Sequence, residues 1–401
     1  MINVAVLGYG TVGSGVVEVL ESNKELIAKR VGDEVNVKYI LDLRDFPGDP
    51  YESKVVHDVN LIMEDPEVSI VCETMGGAGA AYKFSKEALS RSKSVCTSNK
   101  ELVSLHGPEL LNIAKDNNCS YLFEASVGGG IPIIRPIVEA LTAERLDAVM
   151  GILNGTTNFI LTKMDKEGAD FDTTLKEAQR LGYAEANPEA DIEGHDARRK
   201  IAILSSLMTG KHVKDEKVYT EGITRITAAD FKFAHSFNAT IKLLGMAKRA
   251  GKNEAEAMVS PFVIGNEHPL ATVNDVFNAV FVTGNMLGDA MFYGKGAGKL
   301  PTASAVCSDV IECAKNLGKN LSCDWSDEEV KLLDVSDVER SFMVRFDAAA
   351  VNEIKNAFGD NISDVTLDNE MAVLTAPMKE SDFNAKCEAL KDAVHNRIRV
   401  L

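Results

Sequence analysis

What most limits the fold of this chain is a glycine pattern close to its start. Gly8-Tyr9-Gly10-Thr11-Val12-Gly13 is a G-x-G-x-x-G that leaves an apolar run, Val4–Gly8, and enters a helical one, Val12–Arg30. Glycines at these spacings permit a tight turn and bring backbone N–H groups close to a pyrophosphate, whose charge then rests on the helix N-terminus. A bare match to the pattern means little, but a strand before it and a βαβ unit around it make it a dinucleotide-binding loop, to which Gly8, Gly10, Thr11, Val12 and Gly13 contribute. The acidic residue expected after the second strand is Asp42, in Tyr39-Ile40-Leu41-Asp42-Leu43-Arg44. A carboxylate there accepts the adenosine ribose hydroxyls and favours NAD. Arg44 either pairs with a 2′-phosphate and admits NADP, or is a solvated turn residue. Use of both coenzymes reconciles the two cues.

Around this loop the first half alternates β-rich runs with helical ones: Val35–Leu41, Ser69–Glu73, Tyr82–Ser90, Ser94–Ser98 and Ser120–Glu124. Such alternation specifies an α/β fold with a doubly wound parallel sheet. A second α/β segment follows, with an apolar strand from Asp147 that ends at Phe159 in a Gly/Asn/Thr-rich turn. Helical patterns cover Asp172–Leu181, Asp196–Thr209 and Ala228–Arg249, and Met258–Asp289 returns to strand-like composition around Asn278–Gly284. An acidic stretch, Asp324 to Glu329, reads as a solvated connector. Beyond residue 335 the pattern is strand Ser341–Phe346, helix Ala349–Phe358, strands Val365–Asp368 and Met371–Ala376, helix Ser381–Ala393 and strand Arg397–Leu401. That βαββαβ order is ferredoxin-like.

With 60 acidic against 43 basic residues the 401-residue chain carries a net charge of −17. No basic run offsets it, so nucleic acid is not an expected partner. No apolar stretch approaches the ~18 residues of a membrane span, and the N-terminus lacks the basic region of a signal peptide. The seven cysteines include no CxxC pair. That spacing suits reduced thiols in a cytoplasm and argues against a zinc site.

Three further stretches carry possible chemistry. Lys100 follows the strand Ser94–Ser98 at the carboxyl edge of the parallel sheet, where this architecture binds ligands, although a lysine after a strand is most often surface charge. The segment Gly182–Lys200 holds Glu185, Glu189, Asp191, Glu193 and Asp196, with Glu177 just before it, and then enters a helix. Asp196 and Lys200 stand i, i+4 and share a helix face; the alternative to a functional pair is an exposed one worth a few tenths of a kcal/mol. In the functional version Asp196 orients Lys200 beside a polar substrate, and Glu185 and Asp191 recognise an ammonium and a hydroxyl. Glu124–Pro132 is Gly-rich enough to offer backbone carbonyls to a monovalent cation, and Gly294–Ala303 opens a helix near the coenzyme; a flexible hinge is the alternative for each.

Together, Gly151-Ile152-Leu153-Asn154-Gly155-Thr156-Thr157-Asn158-Phe159, the Gly182–Lys200 segment and Gly294–Val306 resemble homoserine dehydrogenase, and the resemblance covers residues 2 to 315. It implies NAD(P)-dependent interconversion of L-homoserine and L-aspartate 4-semialdehyde, on the branch leading to threonine, methionine and isoleucine. It places the catalytic lysines at Lys100 and Lys200, with Asp196 the partner of Lys200. Substrate contacts fall on Glu185, Asp191 and the loop of Asn154, Gly155 and Thr156. Further coenzyme contacts fall on Thr74, Ser98 and Gly296, and a sodium site falls on backbone oxygens of Glu124, Val127, Gly129 and Ile131. The implied organisation is a Rossmann-type nucleotide domain over 1–135, with a helix over 301–320 packing back on it, a catalytic and dimerisation domain over 136–300, and an ACT-like domain over 338–401, in a cytoplasmic homodimer. Asn187-Pro188 stands where the family usually has Asp-Pro. The loop Asp347-Ala348-Ala349-Ala350 lacks the Pro-Gly of amino-acid-binding ACT domains, so threonine feedback is not expected. The early first strand leaves no room for a fused aspartate kinase.

The chemistry implied is direct hydride transfer at the C4 carbon, with a lysine amine or a water it holds taking the hydroxyl proton. A carboxylate beside an ammonium favours the charged form, so a proton shared among Lys100, Lys200 and water is expected rather than one isolated base. Two rival readings remain at this stage. One is a non-catalytic sensor of a dinucleotide and an amino acid; the other is a different semialdehyde or hydroxy-acid dehydrogenase, against which the Asn154–Thr157 loop argues.

Overall fold

The computed structural model describes residues 1–321, 323–359, 363–367 and 369–401. They form two compact units. The first comprises Met1–Arg145, Ala202–Asp215 and Phe292–Glu329, and the second Leu146–Ile201, Glu216–Met291 and Val330–Leu401. Residues 136–145 thus group with the nucleotide-binding half, and 338–401 share a unit with the segment between.

The first unit is built on six parallel strands: β1 (Ile2–Leu7), β2 (Val35–Leu41), β3 (Val55–Val56), β4 (Val68–Glu73), β5 (Ser94–Thr97) and β6 (Tyr121–Leu122), in the order β3-β2-β1-β4-β5-β6. The order reverses between β1 and β4, the switch point where doubly wound sheets bind ligands. All six residues of β1 are buried, as befits a strand covered on both faces. Helices Thr11–Ser22 and Lys299–Lys315 pack together and bury Val16, Val17 and Leu20 with Val306, Val310 and Cys313.

Local structure departs from the sequence reading in four places here. The run Val12–Arg30 divides at Asn23 into helices Thr11–Ser22 and Lys24–Val31. The expected strand Ser120–Glu124 shrinks to β6, because the Glu124 carboxylate turns to accept the N–H groups of Ile133, Ile134 and Arg135. Helix Lys100–Asp116, with Pro108 inside it, was not foreseen. The acidic connector is partly a strand, Ser326–Glu329, paired with Lys211–His212 and tied by Glu328–Lys211 and Glu329–Lys214 ion pairs.

A mixed sheet, in the second unit except for residues 292–295 of β11, comprises β7 (Leu146–Ile152), β8 (Ala239–Arg249), β9 (Glu254–Gly265), β10 (Phe277–Gly284), β11 (Gly288–Lys295), β12 (Phe342–Asp347), β13 (Ser363–Leu367), β14 (Glu370–Leu374) and β15 (Val394–Val400). Its order is β11-β10-β7-β8-β9-β15-β12-β14-β13. Residues 239–249 were read as helix, but the helix stops at Ser236, Asn238 takes φ +54°, and β8 follows. The first nine residues of β8 are all buried, and a strand covered on both faces shows no period of two to distinguish it from a buried helix. The apolar run from Asp147 likewise ends as strand at Ile152, and helix Gly155–Glu167 begins where a turn was expected.

At the C-terminus β12, helix Val351–Phe358, β13, β14, helix Glu380–Ala389 and β15 give the ferredoxin-like order, with β15-β12-β14-β13 antiparallel throughout. The foreseen strand end at Asp368 lies outside the described residues. Strand β15 then joins β9 in parallel at Phe262↔Arg399 and Val263↔Val400, which fuses this sheet with the central one. Among the described residues no helix is long and apolar enough to cross a membrane, and all seven cysteines are free.

Candidate active site

In the first unit the glycine loop closes tightly. A Cβ on Gly13 would stand 1.9 Å from the Gly8 carbonyl oxygen and 2.7 Å from the Thr74 hydroxyl, so only glycine lets the helix start this close to β1. The Thr74 hydroxyl braces the turn by donating to the Gly8 and Leu7 carbonyls, at 2.9 and 3.0 Å. Beside the loop lies a cleft of about 640 Å³ walled by Gly8, Gly10, Asp42, Arg44, His57 and Thr74. Its volume falls in the range of small-molecule sites, and the glycine cradle at its edge fits a dinucleotide.

Asp42 and Arg44 prove to be one ion pair. Arg44 clasps the carboxylate in bidentate fashion, Nε to Oδ1 at 2.9 Å and Nη2 to Oδ2 at 3.0 Å, and lies 5.1 Å over the Phe46 ring. The Tyr9 N–H donates to the same Oδ2 at 2.8 Å. The guanidinium holds the Asp42 acid well below the usual carboxylate range. His57, which the sequence reading passed over, places Nδ1 2.7 Å from the Asp42 carbonyl and Nε2 3.1 Å from Asp45. The hydrogen bond to that carbonyl pushes its pKa up. Ser98 does not line the cleft; its N–H donates to the Glu73 carbonyl at 3.4 Å.

Lys100 opens helix Lys100–Asp116 just past β5, half-buried, and the Asn99 side chain caps that helix by accepting the Leu102 N–H at 3.1 Å. Beneath it the Glu73 carboxylate, at the end of β4 and fully buried, meets the Thr97 hydroxyl at 2.6 Å. Neither Glu73, Thr97 nor Asn99 was singled out from the sequence. A carboxylate closing the apolar run Val68–Cys72 at the carboxyl edge of the sheet was the available signal.

The two Gly-rich stretches of this unit touch. The Gly130 N–H donates to the Lys295 carbonyl at 3.1 Å, and a Cβ on Gly129, at φ +57°, would come within 2.2 Å of the Gly296 oxygen. The carbonyls of Val127, Gly129 and Ile131 accept no backbone hydrogen bond among the described residues. A hard monovalent cation takes such oxygens, so the donor set fits one. Among the described residues no His, Cys, Asp and Glu group is arranged to hold a metal through side chains.

In the second unit Asn154, Asp196 and Lys200 form a buried polar cluster with the half-buried Asp191. Lys200 Nζ donates to Asp196 Oδ2 at 2.8 Å and to the Leu153 carbonyl at 2.7 Å, and both charged residues are 8% exposed. Asn154 serves two structures at once. Its Oδ1 caps helix Gly155–Glu167 by accepting the Thr157 N–H at 2.9 Å. Its Nδ2 donates to Asp191 Oδ1 at 2.7 Å and to Asp196 Oδ2 at 3.0 Å, which bridges the two carboxylates. Burial raises the Asp191 acid above its ordinary range, and the Asn154 amide opposes the shift. The Thr156 hydroxyl donates to the Tyr183 carbonyl at 2.6 Å. Glu185 is not gathered in: it is exposed, and its carboxylate makes no hydrogen bond among the described residues.

A family model of homoserine dehydrogenase matches residues 132–311, and a model of the homoserine dehydrogenase NAD-binding domain matches residues 8–124. The homoserine dehydrogenase of Bacillus subtilis is 45% identical over 323 residues, which span 79% of this chain and 73% of that protein. That of Synechocystis is 38% identical and covers 97% of this chain and 96% of its own length. Among solved structures, a homoserine dehydrogenase from Thiobacillus denitrificans matches with a TM-score of 0.91 at 36% identity, covering 100% of this chain and 98% of that one. A hyperthermophilic archaeal homoserine dehydrogenase in complex with NADPH matches with a TM-score of 0.67 at 29% identity, covering 79% of this chain and 99% of that one.

Proposed function

This chain belongs to the homoserine dehydrogenase family, and we propose that it interconverts L-homoserine and L-aspartate 4-semialdehyde with NAD or NADP, as a step of threonine, methionine and isoleucine biosynthesis, with Lys100 and Lys200 handling the proton. The observation that carries the assignment of roles is the hydrogen-bonded Asp196–Lys200–Asn154–Asp191 cluster, buried but for the half-exposed Asp191. A lysine Nζ pinned by a carboxylate and a carbonyl is not a solvated surface charge: as the ammonium it polarises and protonates an aldehyde, and as the neutral amine, or through a water it holds, it accepts the proton of a hydroxyl.

Gly8, Gly10, Thr11, Val12 and Gly13 hold the pyrophosphate of the coenzyme, the Asp42–Arg44 pair meets its adenosine ribose, and Thr74 and Gly296 border its path. The nicotinamide, when bound, supplies the hydride acceptor or donor. Asp196 orients Lys200. Lys100, set at the N-terminus of its helix, is the second proton-handling lysine. Asp191 receives the substrate ammonium, with Asn154 holding that carboxylate in place. Glu185 joins only if substrate draws its exposed carboxylate inward. Backbone oxygens at Glu124, Val127, Gly129 and Ile131 hold a sodium ion that braces the loop and takes no part in proton transfer.

Absorbance at 340 nm with homoserine and each coenzyme tests the reaction: a rise with both NAD and NADP is expected, and no change with either overturns it. Lys200→Ala is expected to lower kcat about a hundredfold or more. Near-wild-type turnover by both Lys200→Ala and Lys100→Ala would overturn the assignment of roles.

We also propose a homodimer in the cytoplasm. Residues 278–283 of β10 are a candidate interface, and the turn after them exposes Met286 at 80% and Leu287 at 51%, apolar surface that a second copy would cover.

A further inference from the structure

Glu73, Met75, Thr97 and Asn99 close a ring of hydrogen bonds that joins two loops at the carboxyl edge of the parallel sheet. Glu73 Oε1 accepts the Met75 N–H at 2.7 Å, and Oε2 accepts the Thr97 hydroxyl at 2.6 Å. Thr97 Oγ1 accepts the Asn99 N–H at 2.9 Å, and Asn99 Nδ2 returns to the Met75 and Gly77 carbonyls at 3.4 and 2.8 Å. One side of the ring is the Thr74–Gly77 loop, whose Thr74, Met75 and Gly76 line the cleft. The other side is the cap of the helix whose first residue is Lys100. Glu73 and Thr97 are directly paired across β4 and β5, and both are fully buried.

We propose that Glu73 is a positioning residue whose ionised carboxylate couples the coenzyme-lining loop Thr74–Gly77 to the Asn99 cap that aims Lys100. This rests on the reading of the cleft as the coenzyme site and of Lys100 as a proton-handling residue. The direction of the bonds carries the argument. As drawn, the carboxylate is acceptor only, so Thr97 donates to it and keeps a lone pair for the Asn99 N–H. A protonated Glu73 donates to Thr97 instead. The Thr97 hydroxyl hydrogen then has to find another acceptor, and the tie to Asn99 is weakened from the same side. Burial pushes the Glu73 acid up to about 7, so both forms are populated near neutrality. Ionisable groups on the elements packed around β4 include the Tyr121 phenol on β6, whose hydroxyl is buried with no hydrogen-bond partner among the described residues; Asp309, bound to Arg135, with Cys307 and Cys313 on helix Lys299–Lys315; Lys83, Lys86 and Glu87 on helix Gly79–Ser90; the thiols of Cys72 and Cys96; and Lys100 after β5.

The test is steady-state kinetics of Glu73→Gln from pH 5.5 to 9, with thermal unfolding recorded at each pH. Glutamine donates to Thr97 as the protonated acid does, so it copies the low-pH form. The expected result is a loss of about tenfold in kcat at pH 8, with KM for homoserine little changed and the acidic limb near pH 7 abolished. Thr97→Val lowers kcat, and Thr97→Ser restores it. A folded Glu73→Gln with wild-type kcat and an unaltered pH profile, or a Thr97→Val with wild-type kcat, overturns the coupling. Lys100→Ala is run alongside: if it too is indistinguishable from wild type, the role of Lys100 has failed, whereas a silent Glu73→Gln in an enzyme that needs Lys100 overturns the coupling alone.

Discussion

One helical turn separates Asp196 from Lys200, a spacing shared by any exposed ion pair on a helix. What distinguishes this pair is the Asn154 amide and the Leu153 carbonyl, which come from a different element and bond to the two charges where each residue is only 8% exposed. The residue types and spacing were legible; their burial was not. The same holds for Asp42 and Arg44, which read as competing cues and turn out to be bonded to each other. With its carboxylate neutralised, Asp42 does not repel a 2′-phosphate. Arg44→Ala is therefore expected to raise KM for NADP about tenfold or more while changing KM for NAD little; initial rates with the two coenzymes decide it, and equal effects on both would count against the ion-pair argument. Glu73 has a consequence for stability as well. Its acid is raised from about 4.5 to about 7 by burial, so the folded chain holds a proton that the unfolded chain releases above about 4.5. Stability therefore falls as pH climbs through that interval and stays lower above it. Glu73→Gln removes the cost, and a gain on the order of 3 kcal/mol is expected at pH 8, shrinking toward pH 5. Urea unfolding at the two pH values measures it.

Strand β8 shows where local pattern fails at the level of elements. Ala239–Arg249 follows a genuine helix, is apolar, and is long enough to continue it, yet Asn238 breaks the chain and β8 pairs with β9 along its whole length. A central strand buried on both faces has no alternation to announce it. Helix caps were similarly hidden, because Asn99 and Asn154 are recognisable as caps only once the helices after them are known. Asn154 joins the cap to the chemistry. Asn154→Asp keeps the acceptor for the Thr157 N–H but replaces the amide donor by a third acidic group beside Asp191 and Asp196. A lower melting temperature at neutral pH than at pH 5 is expected from the buried like charges, together with a fall of about a hundredfold or more in kcat/KM for homoserine. A variant that keeps wild-type kcat/KM would show that Asn154 is a cap and nothing else.

For the whole molecule, the C-terminal βαββαβ segment is knitted into the second unit by buried charge. Glu380, 3% exposed, holds Arg399 and, at 3.2 Å, Arg340; Arg399 also binds Glu221 at 2.6 Å, and Arg340 binds Glu256 at 2.7 Å. Glu380→Ala leaves two buried guanidinium groups short of a partner and is expected to cost about 3–5 kcal/mol. A loss under about 1 kcal/mol in chemical unfolding would refute that view of the network. Short-range periodicity and spacing specify the doubly wound sheet, the dinucleotide loop, the strand and helix order of the C-terminal segment and the identity of the lysines and acids. Packing alone buries Lys200 against Asp196 and the Leu153 carbonyl, pairs Arg44 with Asp42, ties the Lys100 helix to the cleft through Glu73, and fuses the last segment to the central sheet through β15. Each of these depends on a contact between residues far apart in the chain, where burial and hydrogen-bond partners are set by packing and leave no local mark.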